Sequence, residues 1–104
     1  MERSRKNRII SRKMFRTFLA EHPEHRAAKA AFDAWYKVVE RAHWENFGDV
    51  RETFADASHV GRFVVFNVGG NKYRIITEIR FGWGRIYIRH VLTHREYDRG
   101  SWKT

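Results

Sequence analysis

The hydrophobic period of the chain changes once, near residue 60, and that change constrains the fold more than any other feature. From Glu24 onward Ala28, Ala31, Phe32, Trp35, Val38, Val39 and Ala42 recur at three- and four-residue spacing, with Lys29, Asp33 and Lys37 opposite them. That is the pattern of an amphipathic helix lying on a flat partner. Beyond residue 60 the pattern alternates instead, in Phe63-Val64-Val65-Phe66-Asn67-Val68, then Lys72 to Phe81, then Arg85 to Leu92. Alternation of this kind predicts strands. Gly69-Gly70-Asn71 and Gly82-Trp83-Gly84 supply the turns between them, so three strands are expected in a meander. Helices followed by strands give an α+β class: a small antiparallel sheet with N-terminal helices packed on one face.

Around this frame, Arg8-Ile9-Ile10-Ser11 reads as a short strand, with Ser11 expected to cap a helix through Met14, Phe15, Phe18 and Leu19 that Pro23 ends. Asp49 is the expected cap of a short turn through Val50 and Phe54, and Asp56-Ala57-Ser58-His59 reads as a polar linker. Thr93-His94-Arg95-Glu96 has the form of a capping box and predicts a brief helix ending near Gly100. With 104 residues, 42% of them hydrophobic, one core is expected over 1–104, residues 1–7 forming a basic arm. The chain has no cysteine, which removes disulfides, thiolate metal sites and cysteine nucleophiles. A charged start and the lack of any long apolar run predict a cytoplasmic chain without membrane association.

The net charge of +9 favours polyanions. Residues 1–16 set Arg3, Arg5, Lys6, Arg8, Arg12, Lys13 and Arg16 against Glu2, and residues 61–104 repeat the imbalance, whereas the middle is mildly acidic. On the second strand Tyr73, Ile75, Thr77, Ile79 and Phe81 should face the helices, leaving Lys72, Arg74, Ile76, Glu78 and Arg80 outward. On the third, Ile86, Ile88, His90 and Leu92 should face inward, against Arg85, Tyr87, Arg89 and Val91. The candidate catalytic residues are therefore Arg74 and Arg89 on an exposed sheet face, with His94 and Tyr97 on the helix that leaves it. Asn71, Lys72, Arg80, Arg85 and Tyr87 are candidates for holding RNA.

RNA can be cut by its own 2′-hydroxyl if one group takes the hydroxyl proton, another protonates the departing 5′-oxygen, and fixed cations stabilise the phosphoryl charge. Arginine suits the last task. A pair drawn from Lys72, His94 and Tyr97 suits the proton transfers, with base and acid left unassigned. No metal or cofactor is expected: His90 and His94 lack the helix and glutamate of a zinc protease site, and Gly82-Trp83-Gly84 precedes a strand rather than a helix. The same basic face also fits a noncatalytic RNA- or ribosome-binding module.

Two stretches, Val65-Phe66-Asn67-Val68-Gly69-Gly70-Asn71-Lys72-Tyr73-Arg74-Ile75-Ile76 and Tyr87-Ile88-Arg89-His90-Val91-Leu92-Thr93-His94-Arg95-Glu96-Tyr97-Asp98, resemble the signature segments of HigB-type toxins. Ala34-Trp35-Tyr36-Lys37-Val38-Val39 and Asp49-Val50-Arg51-Glu52-Thr53-Phe54 fit the same family. The resemblance, from about Arg8 to Lys103, implies a fold similar to RelE-type toxins, with the free face of the sheet concave and basic. It implies metal-independent cleavage of messenger RNA, usually on the ribosome, and inhibition by a HigA-type helix-turn-helix antitoxin. It further implies no DNA binding by the toxin alone, and it places the working groups on Lys72, Arg74, Arg89, His94 and Tyr97.

Overall fold

A computed structural model describes residues 7–103. Strand β1 (Arg8–Ile10) leads into helix α1 (Lys13–Glu21), a 3₁₀ turn (Pro23–His25), helix α2 (Ala28–Arg41) and helix α3 (Phe47–Thr53). Strands β2 (Ser58–Val60), β3 (Phe63–Val68), β4 (Tyr73–Arg80) and β5 (Arg85–Thr93) follow, the last two joined by a 3₁₀ turn at Phe81–Trp83. Helix α4 (His94–Arg99) and a 3₁₀ turn (Ser101–Lys103) close the described chain. The three long strands and α2 lie where the periodicity puts them.

The sheet has the order β1-β5-β4-β3-β2, and β1 runs parallel to β5 while the other pairs are antiparallel. The expected antiparallel sheet is thus a mixed one. The whole helical layer separates β1 from β5, so no hairpin dictates their direction. Strand β2 occupies what reads as a polar linker, since a three-residue edge strand with Ser58 and His59 exposed leaves no periodic signal. Ser11 does not cap α1: Arg12 stands at that position with no side-chain cap bond, and Ser11 contributes only its carbonyl. Asn46, not Asp49, caps α3, its side chain accepting from the Asp49 amide at 2.9 Å. The expected arm over residues 1–7 lies outside the described residues except for Asn7, which is buried and bonded to Val39 and Glu40.

Core packing follows the two periods. Phe32, Trp35 and Val39 of α2 are buried with Phe15 and Phe18 of α1 against Val64, Phe66, Ile75, Ile86 and Ile88 of the sheet. Phe15 stacks on Phe32 at 4.8 Å, and the Trp35 ring meets Phe66 edge-on at 5.4 Å. Val38, read from spacing as part of the buried stripe, sits at its rim and is exposed. The other face of the sheet carries a second, smaller cluster of Phe63, Val65, Ile76 and Trp102, with Leu92 and Tyr97 beside it. The C-terminal segment therefore folds across part of the face expected to be open.

A β-bulge sets the orientation of the site. Between β4 and β5 the pairing passes from Ile76–His90 to Thr77–Ile88, so Arg89 is an extra residue on β5. Such an insertion reverses the alternation beyond it. Ile86 and Ile88 accordingly face the helices, but so does Val91, whereas His90 and Leu92 turn to the far face. The expected inward row Ile86, Ile88, His90, Leu92 holds only for its first half.

Candidate active site

The far face carries Arg74, Ile76, Glu78 and Arg80 of β4 opposite Leu92, His90, Tyr87 and Arg85 of β5. Arg74 and Arg80 are six residues apart on one strand, roughly 20 Å at the usual rise per residue. The nine residues singled out from the sequence consequently divide into two groups along the sheet.

The first group lies where β4 begins and β5 ends. Arg74 is not exposed as expected; it is 7% exposed, because the C-terminal segment covers it. Its Nη1 donates to the carbonyls of Asn71 (3.1 Å) and Tyr73 (3.2 Å), and its guanidinium lies 5.2 Å from the centre of the Tyr97 ring. Tyr97 is stacked in turn on Trp102 at 5.0 Å, and the Trp102 indole donates to the Tyr97 carbonyl. A cation held between backbone carbonyls and an aromatic face has its direction fixed before any substrate arrives. The positive φ of Asn71 (72°), tolerated by Asn better than by most side chains, forms the turn that presents its carbonyl.

Helix α4 starts at this point because Thr93 and Glu96 form the full capping box that their spacing predicts. The box positions His94, whose Nδ1 lies 2.8 Å from Asp98 Oδ2. Glu96 does more than cap: its Oε2 is 3.0 Å from Nε2 of His22, whose Nδ1 faces the Phe18 carbonyl at 3.0 Å. Both nitrogens of His22 thus face acceptors, which only the imidazolium satisfies. Burial opposes that charged form, but the hydrogen bonds to Glu96 and Phe18 and the pull of Glu96 and Glu24 outweigh it, raising the His22 pKa. Burial likewise pushes the Glu96 carboxyl up, and its bonds from the Thr93 amide and His22 bring it below its usual value.

Between the Pro23–His25 turn and α4 opens a cleft of about 580 Å³. Its lining comes from two parts of the chain: His22, Glu24 and His25 from the first, and Asn71, Lys72, His94, Arg95 and Arg99 from the second. The sequence alone gave no reason to place the first three here; only the stop signal of Pro23 marked this segment.

The second group lies toward the β4–β5 turn. Arg89, on the bulge, donates to Glu78 at 2.7 Å and lies 4.9 Å from the Tyr87 ring centre, while Arg62 reaches the other oxygen of Glu78 at 3.2 Å. Arg85 sits 5.5 Å over Trp83, whose 65% exposure makes it the most open large aromatic among the described residues. His90 stands between the groups, beside Phe63; burial and the neighbouring Arg89 lower its pKa. Trp102 is part of the smaller core cluster on this face. Among the described residues no cluster of His, Asp or Glu is arranged to hold a metal ion, and no helix is long and apolar enough to cross a membrane.

Residues 28–100, which include both groups and most of the cleft, match the HigB toxin family, described as the RelE-like toxic component of a toxin–antitoxin system. The chain belongs to the HigB family. Similar curated proteins are the mRNA interferase toxin HigB of Escherichia coli K12, 26% identical over 93 residues with 86% of each chain covered, and the mRNA interferase HigB of Shigella flexneri at the same identity. The mRNA interferase HigB of Escherichia coli O6:H1 is 27% identical over 94 residues, with 88% of each chain covered. Membership makes this HigB-family chain the toxic half of a pair, with an antitoxin as its counterpart.

Proposed function

We propose that this chain, folded as one domain, is a cytoplasmic messenger-RNA endoribonuclease that cuts without a metal ion. On this reading it acts on messages under translation, is silenced by a HigA-type helix-turn-helix antitoxin, and binds no DNA by itself. The relatives named mRNA interferase support the substrate. The observation that carries the chemistry is the His94–Asp98 pair at the border of a cationic cleft. Asp98 Oδ2 sits 2.8 Å from Nδ1, which leaves Nε2 of a half-exposed imidazole to take a proton. His94 is thereby assigned the removal of the 2′-hydroxyl proton. Lys72, on the cleft lining, stabilises the phosphoryl oxygens as charge builds on them, and Arg74, held over Tyr97, fixes the Asn71–Tyr73 backbone that carries it.

The second group binds without reacting. Arg80, Arg85 and Arg89 meet phosphates, and Tyr87 offers a ring to a base. Arg89 must exchange its bond to Glu78 for a phosphate to take part, so it serves the bound complex rather than the free protein.

Induction in growing cells should arrest growth and leave translated messages cut, and lysates supplied with EDTA should cut them too. His94→Ala should lower the cutting rate by about 10²- to 10⁴-fold, with its melting temperature close to that of the parent. Arrest with intact messages would defeat the reading and favour a noncatalytic RNA- or ribosome-binding module.

A further inference from the structure

Three imidazoles line the cleft, and their hydrogen bonds separate them. His22 has both ring nitrogens engaged, by Phe18 and Glu96, so it has no position left for a substrate proton. His94 has no such bond among the described residues, but its Nδ1 is paired with Asp98 at 2.8 Å. His25 commits Nδ1 to the Tyr73 hydroxyl at 2.9 Å, and Tyr73 is itself fixed in the core by edge-on contacts with Phe18 and Phe32. Two rings that line one cleft, each with Nδ1 against a partner, therefore leave Nε2 for a guest, with Lys72 on the same cleft. Glu24 Oε2 stands 3.9 Å from His25 Nε2, beyond a hydrogen bond but beside the position where that nitrogen carries its proton.

We propose that the scissile phosphodiester enters this cleft rather than lying on the open sheet, and that His25 is the acid that protonates the departing 5′-oxygen opposite His94. The inference rests on the ribonuclease reading and adds a catalytic residue and a location to it. The step balances. The 2′-oxygen forms a bond to phosphorus as its proton passes to His94 Nε2, the bond from phosphorus to the 5′-oxygen breaks, and that oxygen takes the proton of His25 Nε2. The products are a 2′,3′-cyclic phosphate and a 5′-hydroxyl, and the two histidines have exchanged protonation states. Cleft cations suit the fixed charge of the phosphate, and the tether through Tyr73 suits a group that must meet one atom of the leaving nucleotide.

A sulfur-for-oxygen exchange tests the assignment, because a thiolate leaves without being protonated. The site cut by the wild-type protein is first mapped on a ribosome-bound synthetic message, and the message is then remade with sulfur at the bridging 5′ position of that linkage. His25→Asn should cut the oxygen message about 10²- to 10⁴-fold more slowly than the wild type and the sulfur message at close to the wild-type rate. His94→Ala should remain slow on both, since sulfur does nothing for the missing base. Tyr73→Phe, which keeps the ring in the core and removes the tether, should show a milder form of the His25→Asn pattern. A His25→Asn protein equally slow on both messages, or unaffected on both, would overturn the role of His25 while leaving the ribonuclease reading intact. Messages left whole by the wild-type protein would overturn both.

Discussion

Arg74 donates to two backbone carbonyls and lies on the Tyr97 ring, so removing it does two things at once. Arg74→Ala strips a charged donor from Asn71 and Tyr73 and opens space beneath Tyr97. We expect a loss of about 2–3 kcal/mol in urea unfolding, together with a loss of cutting. Arg85→Ala on the same face should change stability by less than about 0.5 kcal/mol, since its contact is with the exposed ring of Trp83. Equal destabilisation by the two substitutions would show that the burial of Arg74 adds nothing. The contrast was not legible in the sequence, where both arginines occupy the outward row of a predicted strand, Arg74 on the second and Arg85 on the third. Alternation gives the face of a residue; it does not say whether a C-terminal tryptophan returns to cover that face.

Helix α4 is six residues long and cannot hold itself in place by local bonds alone. Its capping box fixes where it starts, and the His22–Glu96 link ties it to the end of α1. The link has a pH window whose sign follows from the two shifts. His22 is raised above 6.5, so its contribution to stability is complete below pH 6.5 and is lost as the pH rises through the folded value. Glu96 is lowered below 4.5, so its contribution is present above pH 4.5 and is lost as the pH falls through the folded value. The stability difference between wild type and Glu96→Gln should therefore peak between pH 4.5 and 6.5 and shrink on both sides. Thermal melts at pH 4, 5.5 and 8.5 would check this, and a flat difference would exclude the link. The capping box was readable because its residues are three apart. The link was not, because it joins residues 74 apart in the chain. Helix α2 and strands β3, β4 and β5 were readable from period alone, whereas the bulge at Arg89 was not. A bulge depends on pairing with a neighbour, and it is what turned His90 from the helix side to the far face.

The net charge of +9 acts on RNA through where the cations lie. Several are already committed: Arg74 to carbonyls, Arg62 and Arg89 to Glu78, and Lys29 to Asp33. Arg80 and Arg85 face each other across β4 and β5, with Arg80 exposed and Arg85 half-buried, and neither is paired with a carboxylate among the described residues. For single-stranded nucleic acid each phosphate contact contributes about −0.7 to the slope of log affinity against log salt. In a His94→Ala background, which holds the strand uncut, Arg80→Ala with Arg85→Ala should flatten that slope by about 1.4 and weaken binding similarly for all sequences. Fluorescence anisotropy of a labelled single-stranded RNA across a salt series measures both quantities. If the slope stays unchanged, these arginines do not meet phosphates, and the strand must leave the cleft by another route. If the slope flattens while the same two substitutions in the protein that keeps His94 leave the cutting site unchanged, the outer half of the sheet holds the strand and the cleft chooses the bond.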